Sequence, residues 1–339
     1  MLAEFLDKYD TVILDMDGVI TSEQCYWTAA ALTVWEYLNW NRGKKIDTVL
    51  YEREAESIRQ KVFCNDELIT VLKGKGVNSN WDLAYVTVCM ALICDAEDDF
   101  APVLEYAKNL GENIIYEYDS LAKETSKKTG FDFDWAKRNS LLWQTLQNLF
   151  QEWYLGEELF LKQYKAKPLH GSKRGLVYSE MPMFKPEAVR ELLGELSKSK
   201  RLCVATGRPY EEIYNPLKSW DCLKYFAENG FITYDDVVNA QKEFNKTLSK
   251  PHPYVFLKAL YGSDFGDEKL ISGDFNKAKI SSALVVGDAG ADILAAQAMG
   301  ADFCAVLTGV SGKQARGYFE ETKADYILDS VIDLMKKGQ

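Results

Sequence analysis

Short apolar runs that stop abruptly at polar residues set the pattern of this chain. Thr11, Val12, Ile13 and Leu14 run into Asp15. Arg201 to Ala205 runs into Thr206 and Gly207, and Ala283 to Val286 runs into Gly287 and Asp288. Phe303 to Leu307 runs into Thr308 and Gly309, and Tyr326 to Leu328 makes a weaker fifth run. Continuous apolar runs of this length predict strands buried on both faces, as in a parallel sheet. Helical spacing lies between the later runs. Pro186 suits a first helical position, and Val189, Leu192, Leu193 and Leu196 follow on one face. Ile293, Ala296 and Met299, closed by Gly300, predict a second helix. Strands alternating with helices predict a doubly wound α/β fold, whose ligands bind beyond the carboxyl ends of its strands.

Residues 23–179 follow a different period. They hold Trp27, Trp35, Trp40, Trp81, Trp135, Trp143 and Trp153, and their apolar spacing is mainly helical. Residues 26–40 predict one helix, stopped near Gly43. Leu142, Leu146, Leu149, Phe150 and Trp153 mark a face of another, ended by Gly156. The aromatic stripes read as packing. Gly171 to Gly175 (Gly-Ser-Lys-Arg-Gly) reads as a flexible return path. The expected organisation is therefore a core of residues 1–22 plus 180–339, carrying an inserted helical domain over residues 23–179.

The strand ends gather the candidate chemistry. Asp15 and Asp17 follow the first run, Thr206 and Gly207 the second, and Asp288 and Asp292 the third. Lys250, before Pro251, His252 and Pro253, opens an apolar helix-like run through Val255, Phe256, Ala259 and Leu260. Four carboxylates, a hydroxyl and an ammonium suit phosphoryl transfer through an aspartyl-phosphate: one carboxylate attacks, another moves the proton, and cations offset the charge. Magnesium takes hard oxygen ligands, commonly one or two carboxylates with phosphate and water. Simpler readings stand beside these. Asp and Gly can simply turn the chain, Thr206 can cap, and Asp292 can favour the positive end of a helix. Arg208 reads equally as a substrate contact or a surface residue. His252, between two prolines, reads as structural.

In these residues the chain resembles the haloacid dehalogenase superfamily. Asp15-Met16-Asp17-Gly18-Val19-Ile20-Thr21 is similar to its first motif, Thr206 to its second and Lys250 to its third. Gly287-Asp288-Ala289-Gly290-Ala291-Asp292 is similar to its fourth. The resemblance implies a Rossmann-like core with the helical insert as a cap, whose closure would exclude water. It implies Asp15 as nucleophile and Asp17 as general acid and then base. Thr206 and a backbone N–H near Gly207 would hold phosphoryl oxygens, and Lys250 would offset charge. Asp15, the Asp17 carbonyl and Asp288 would bind Mg2+, with Asp292 supporting the metal or Lys250. An acid at Asp17 points to phosphoryl chemistry rather than carbon–halogen cleavage. The expected activity is a magnesium-dependent phosphatase acting on a small phosphorylated metabolite. Alternatives are a phosphomutase of the β-phosphoglucomutase type and a non-catalytic binding module. A phosphonate hydrolase would need a Schiff-base lysine, and nothing selects Lys44 or Lys45 for that role.

Composition narrows the partners. The chain has 339 residues, 47% hydrophobic and 27% charged, as in soluble globular proteins. A net charge of −11 disfavours nucleic acid and anionic membrane as partners. The odd count of 7 cysteines, with no C-x-x-C pair, favours a reduced, cytoplasmic setting. Two histidines exclude a multi-histidine metal site. No basic leader or long apolar segment is evident at the N-terminus. The most apolar stretch, Ala84 to Cys94, is about half the length of the roughly 20-residue segment that a bilayer span needs.

Overall fold

The computed structural model describes residues 2–77 and 79–335. The chain divides into two compact units, Met1–Glu23 with Met181–Gln339, and Gln24–Glu180.

In the first unit, six strands of the described residues form one parallel sheet: β1 Thr11–Leu14, β2 Arg201–Ala205, β3 Phe231–Ile232, β4 Ala283–Gly287, β5 Asp302–Val306 and β6 Tyr326–Leu328. Their order is β3-β2-β1-β4-β5-β6. The order reverses direction at β1, so the β1, β2 and β4 ends meet at a topological switch point, where such sheets hold ligands. Thr11 pairs with Arg201 on one side and Ala283 on the other.

Side chains alternate between two buried layers, which is why the strands read as unbroken apolar runs. Ile13, Cys203, Ala205, Val285 and Phe303 pack with Val255, Phe256, Ile293 and Ala296 from helices Tyr254–Tyr261 and Gly290–Met299. Val12, Leu14, Leu202, Val204, Val286 and Cys304 pack with Val189, Leu192 and Ile213 from helices Pro186–Ser197 and Tyr210–Ser219. The sheet is the expected doubly wound α/β core. The two-residue strand β3 is additional to the five expected runs.

The second unit is helical among its described residues. Helices Gln24–Asn41 and Asn80–Ile93 bury most of their positions, so their buried polar residues need partners inside. Asp82 takes two bonds from Arg138, each 2.8 Å, and a third from Trp143 Nε1. Tyr85, Phe150, Trp153 and Tyr154 lie in the same core, as packing residues.

As expected, Gly156 ends a helix: the backbone leaves helical geometry there, with φ 77° and ψ 168°, and a second helix follows to Tyr164. A Cβ there would lie 2.4 Å from the Arg174 carbonyl oxygen, and one on Gly175 would lie 2.5 Å from that of Leu155. The glycines let two backbones touch, and Glu157 N–H bonds the Lys173 carbonyl at 2.9 Å. One expectation for this unit is corrected: the Gly171–Gly175 stretch is not a loose linker. Lys173 is buried, 2.9 Å from Glu36 and 2.6 Å from Glu152, and 4.7 Å from the Trp153 ring centre. His170 Nδ1 meets Glu36 at 2.6 Å, while Leu169 N–H donates to Glu152 at 2.7 Å. Among the described residues, no helix is long and apolar enough to cross a membrane.

Candidate active site

The candidate residues occupy the carboxyl ends of β1, β2 and β4 and the loop ending at Lys250. β1 runs straight into Asp15, which is buried. Gly18, with φ +68°, then turns the chain back so that its N–H bonds the Thr21 carbonyl at 2.9 Å. This positive φ suits glycine. A Cβ at Gly18 would also sit 2.2 Å from Asp288 Oδ2. The first and fourth motifs are thus packed directly together.

Lys250 reaches the site from a loop that is itself fixed. Gln241 Oε1 accepts bonds from the N–H groups of Leu248 and Ser249 at 2.9 and 3.2 Å, and Leu248 is buried in the core. His252 Nδ1 accepts from Tyr254 N–H at 3.1 Å, consistent with its structural reading. The Lys250 ammonium lies 2.8 Å from both Asp15 and Asp292 and donates to the Ala205 carbonyl at 3.0 Å. Asp292 also accepts from Ala289 N–H at 3.2 Å, so it tightens the start of its helix as well.

Asp15, Asp288 and Asp292 each offer a carboxylate oxygen, all within 4.8 Å of one another. Such crowding disfavours ionisation. Burial, then Asp292 and Asp15, pushes the Asp288 carboxyl well above the usual range. The Asp15 carboxyl is pushed up to about 7, foremost by burial; Lys250 pulls the other way. Burial opposes the charge on Lys250, but Asp15 and Asp292 outweigh it and raise its pKa. Three carboxylates thus stand together with one ammonium, which pairs with two of them. A divalent cation fits this donor set, because hard oxygen ligands and unbalanced negative charge are what magnesium requires. Asp288 is closely packed on a second side too: a Cβ on Gly309 would sit 1.9 Å from Asp288 Oδ2.

The remaining predicted residues lie beside this cluster. Thr206 is buried, and its Oγ accepts from Arg208 N–H at 3.1 Å. Gly207 is exposed, with open space where a side chain would be. Asp17 faces a partner that its sequence context did not reveal. Arg208 donates to Asp17 Oδ1 through Nε at 2.8 Å and Nη2 at 2.5 Å. Arg208 is only 2% exposed, which overturns the surface reading. Thr308, at the end of β5, was also missed; its hydroxyl donates to the Gly18 carbonyl. Its position at the end of an apolar run, like that of Asp15, was the available signal.

Comparison with known proteins agrees with this architecture. The HAD-hydrolase-like family model matches residues 247–334. A solved structural-genomics target, ZR25, is 28% identical, with a TM-score of 0.77, covering 96% of this chain and 97% of the other. Phosphatase Tt82 from Thermococcus thioreducens is 17% identical with a TM-score of 0.49, covering 96% and 94%. A haloacid dehalogenase-like hydrolase from Streptococcus pneumoniae is 13% identical with a TM-score of 0.44, covering 97% of each chain. No curated protein matches the sequence. The matched family model over residues 247–334, the sheet order and the four motifs at its strand ends all agree with the resemblance to the haloacid dehalogenase superfamily.

Proposed function

We propose that the protein is a magnesium-dependent phosphatase that hydrolyses a small phosphorylated metabolite through an aspartyl-phosphate. The observation that carries this reading is the position of Asp15. It ends the central strand, is bonded to Lys250, stands beside Asp288 and Asp292, and lies two residues before a second carboxylate.

Asp15 attacks phosphorus through one carboxylate oxygen. A new O–P bond forms as the ester O–P bond breaks, and Asp17 gives its proton to the departing oxygen. Asp17, now a carboxylate, takes a proton from water as the water oxygen attacks the acyl phosphate. Phosphate leaves and Asp15 is regenerated. Lys250 offsets charge on Asp15 and the phosphoryl group, and the Thr206 hydroxyl with N–H groups near Gly207 orients phosphoryl oxygens. Asp15, the Asp17 carbonyl and Asp288 would hold magnesium, with Asp292 in support; a bound cation supplies charge neutralisation. The helical unit serves as the cap that selects the substrate.

A two-substrate comparison tests the proton steps. Asp17→Asn should give a burst of p-nitrophenol from p-nitrophenyl phosphate and then slow turnover, with phosphate retained on Asp15. An alkyl phosphate, whose leaving group needs the proton, should lose about 10²–10⁴-fold already in the first step. Equal losses for both esters, with no trapped phosphate, would contradict the dual role of Asp17.

A further inference from the structure

Asp17 must point one oxygen at the leaving group, yet nothing in its own loop does this alone. Three donors meet it, and all fall on Oδ1: Arg208 Nε at 2.8 Å, Arg208 Nη2 at 2.5 Å and Thr21 Oγ at 3.1 Å. A carboxylate oxygen has two lone pairs, so three donors crowd it. The guanidinium is fixed in turn. Its Nη2 donates to the Ser22 carbonyl at 3.1 Å, and the backbone of Arg208 is held by Thr206 Oγ and by Tyr234 N–H. Arg208 is buried, whereas the Asp17 side chain keeps 30% of its surface exposed. The held oxygen and the reacting oxygen can therefore be different atoms of one carboxylate.

Resting on the phosphatase reading, we propose that Arg208 is a positioning residue: it grips Asp17 through Oδ1 and so presents Oδ2 as the oxygen that gives and takes the proton. In the first step the proton leaves Oδ2 for the ester oxygen as its bond to phosphorus breaks and the Asp15–phosphorus bond forms. In the second, Oδ2 takes a proton from the attacking water. Arg208 touches neither substrate nor metal in this scheme. Two guanidinium donors converging on Oδ1 hold that oxygen in a way a single, freely rotating ammonium does not. An ion pair that merely ties the loop after β1 to the loop after β2 would have no dependence on the leaving group.

A double-mutant cycle separates the two roles. Arg208→Met, Asp17→Asn and the double variant are assayed in single turnovers with magnesium, on an alkyl phosphate and on p-nitrophenyl phosphate. Arg208→Met should slow the alkyl ester by about 10²-fold, the order expected of a misplaced catalytic group. The aryl ester should change much less. In the Asp17→Asn background, Arg208→Met should cost nothing further on either ester. Equal slowing of both esters, by the same factor in both backgrounds, overturns the proposal. Arg208→Lys, which keeps the charge without the fork, should recover part of the alkyl rate; it replaces Arg208→Met in the cycle if that variant does not fold. A crystal structure of the Arg208 variant supplies a readout free of turnover. Asp17 should leave its rotamer, and an unmoved Asp17 overturns the proposal. If the wild-type protein releases phosphate from no ester, the phosphatase reading falls, while this structure still decides whether Arg208 holds Asp17.

Discussion

Lys250 and Lys173 stand in nearly the same arrangement, one in each unit, and they do opposite things. Each ammonium sits between two carboxylates: Asp15 and Asp292 for Lys250, Glu36 and Glu152 for Lys173. Around Lys173 the chain supplies further partners. His170 and the Leu169 N–H complete the carboxylates, and the Trp153 ring faces the ammonium. Around Lys250 there is a third carboxylate, and the charges acting most strongly on Asp288 are all negative: Asp292, Asp15, Glu23 and Asp17. The helical cluster draws its partners from the chain itself and holds a return segment in place. The strand-end cluster is short of positive charge, and that shortage is what invites a metal and a phosphate.

The comparison can be broken at several points. The largest effect is expected from Asp15→Asn, which should lower phosphate release by at least about 10⁴-fold, as loss of a nucleophile does. The fold should survive, since an amide replaces one of several crowded carboxylates; wild-type-like turnover would remove Asp15 from the mechanism.

Lys173→Met should show the reverse. Two buried carboxylates lose their cation, and breaking such a buried pair typically costs about 3–5 kcal/mol. Urea unfolding monitored by tryptophan fluorescence reads this directly. Replacing Glu36, Lys173 and Glu152 together with Gln, Met and Gln should return most of the stability. A Lys173→Met protein as stable as wild type would show that the triad holds nothing.

Next in size is a pH effect confined to the strand-end cluster. The Asp15 carboxyl is raised from 3.8 to about 7. Its folded-state value lies above its unfolded value, so its contribution to stability is fully present below about pH 4 and is lost as the pH rises through 7. In chelator, Asp15→Asn should therefore melt above wild type at pH 8, and the gap should close towards pH 5. A gap that does not change with pH would deny the crowding.

The smallest expected shift comes from the metal. Magnesium at a hundred times its dissociation constant should stabilise the folded protein by about 2.7 kcal/mol. Asp288→Ala should abolish that gain together with the activity, and calcium should not restore turnover, because it prefers longer bonds and more ligands. Full activity in excess chelator would contradict the proposed cofactor.

What could be read in advance follows from where the cause of each feature lies. Asp15 and Asp288 were legible because strands buried on both faces must be apolar, so their polar ends stand out. The strand β3 was hidden because two residues carry no period. Arg208 was ambiguous because its partner Asp17 is 191 positions away, and no local pattern records that pairing. Gly156 was legible as a stop, but the Arg174 carbonyl it makes room for was not, because that lies on another segment. Lys173, set among glycine, serine and arginine, looked like linker for the same reason: its carboxylates come from two distant helices.

The central place of β1 has a consequence for the birth of the protein. β1 is made before the helical unit, and its partners Arg201–Ala205 and Ala283–Gly287 come long after it, beyond that whole unit. At about 5–20 residues per second, the nascent chain waits on the order of ten to forty seconds before β2 exists. Meanwhile both edges of the apolar strand β1 stay unpaired, the condition that favours wrong pairing. Ribosome-bound chains that expose residues 24–180 but not 201–205 should therefore show a protease-resistant helical unit with β1 still cleavable. The segment that carries the nucleophile stays unpaired until the rest of the sheet arrives.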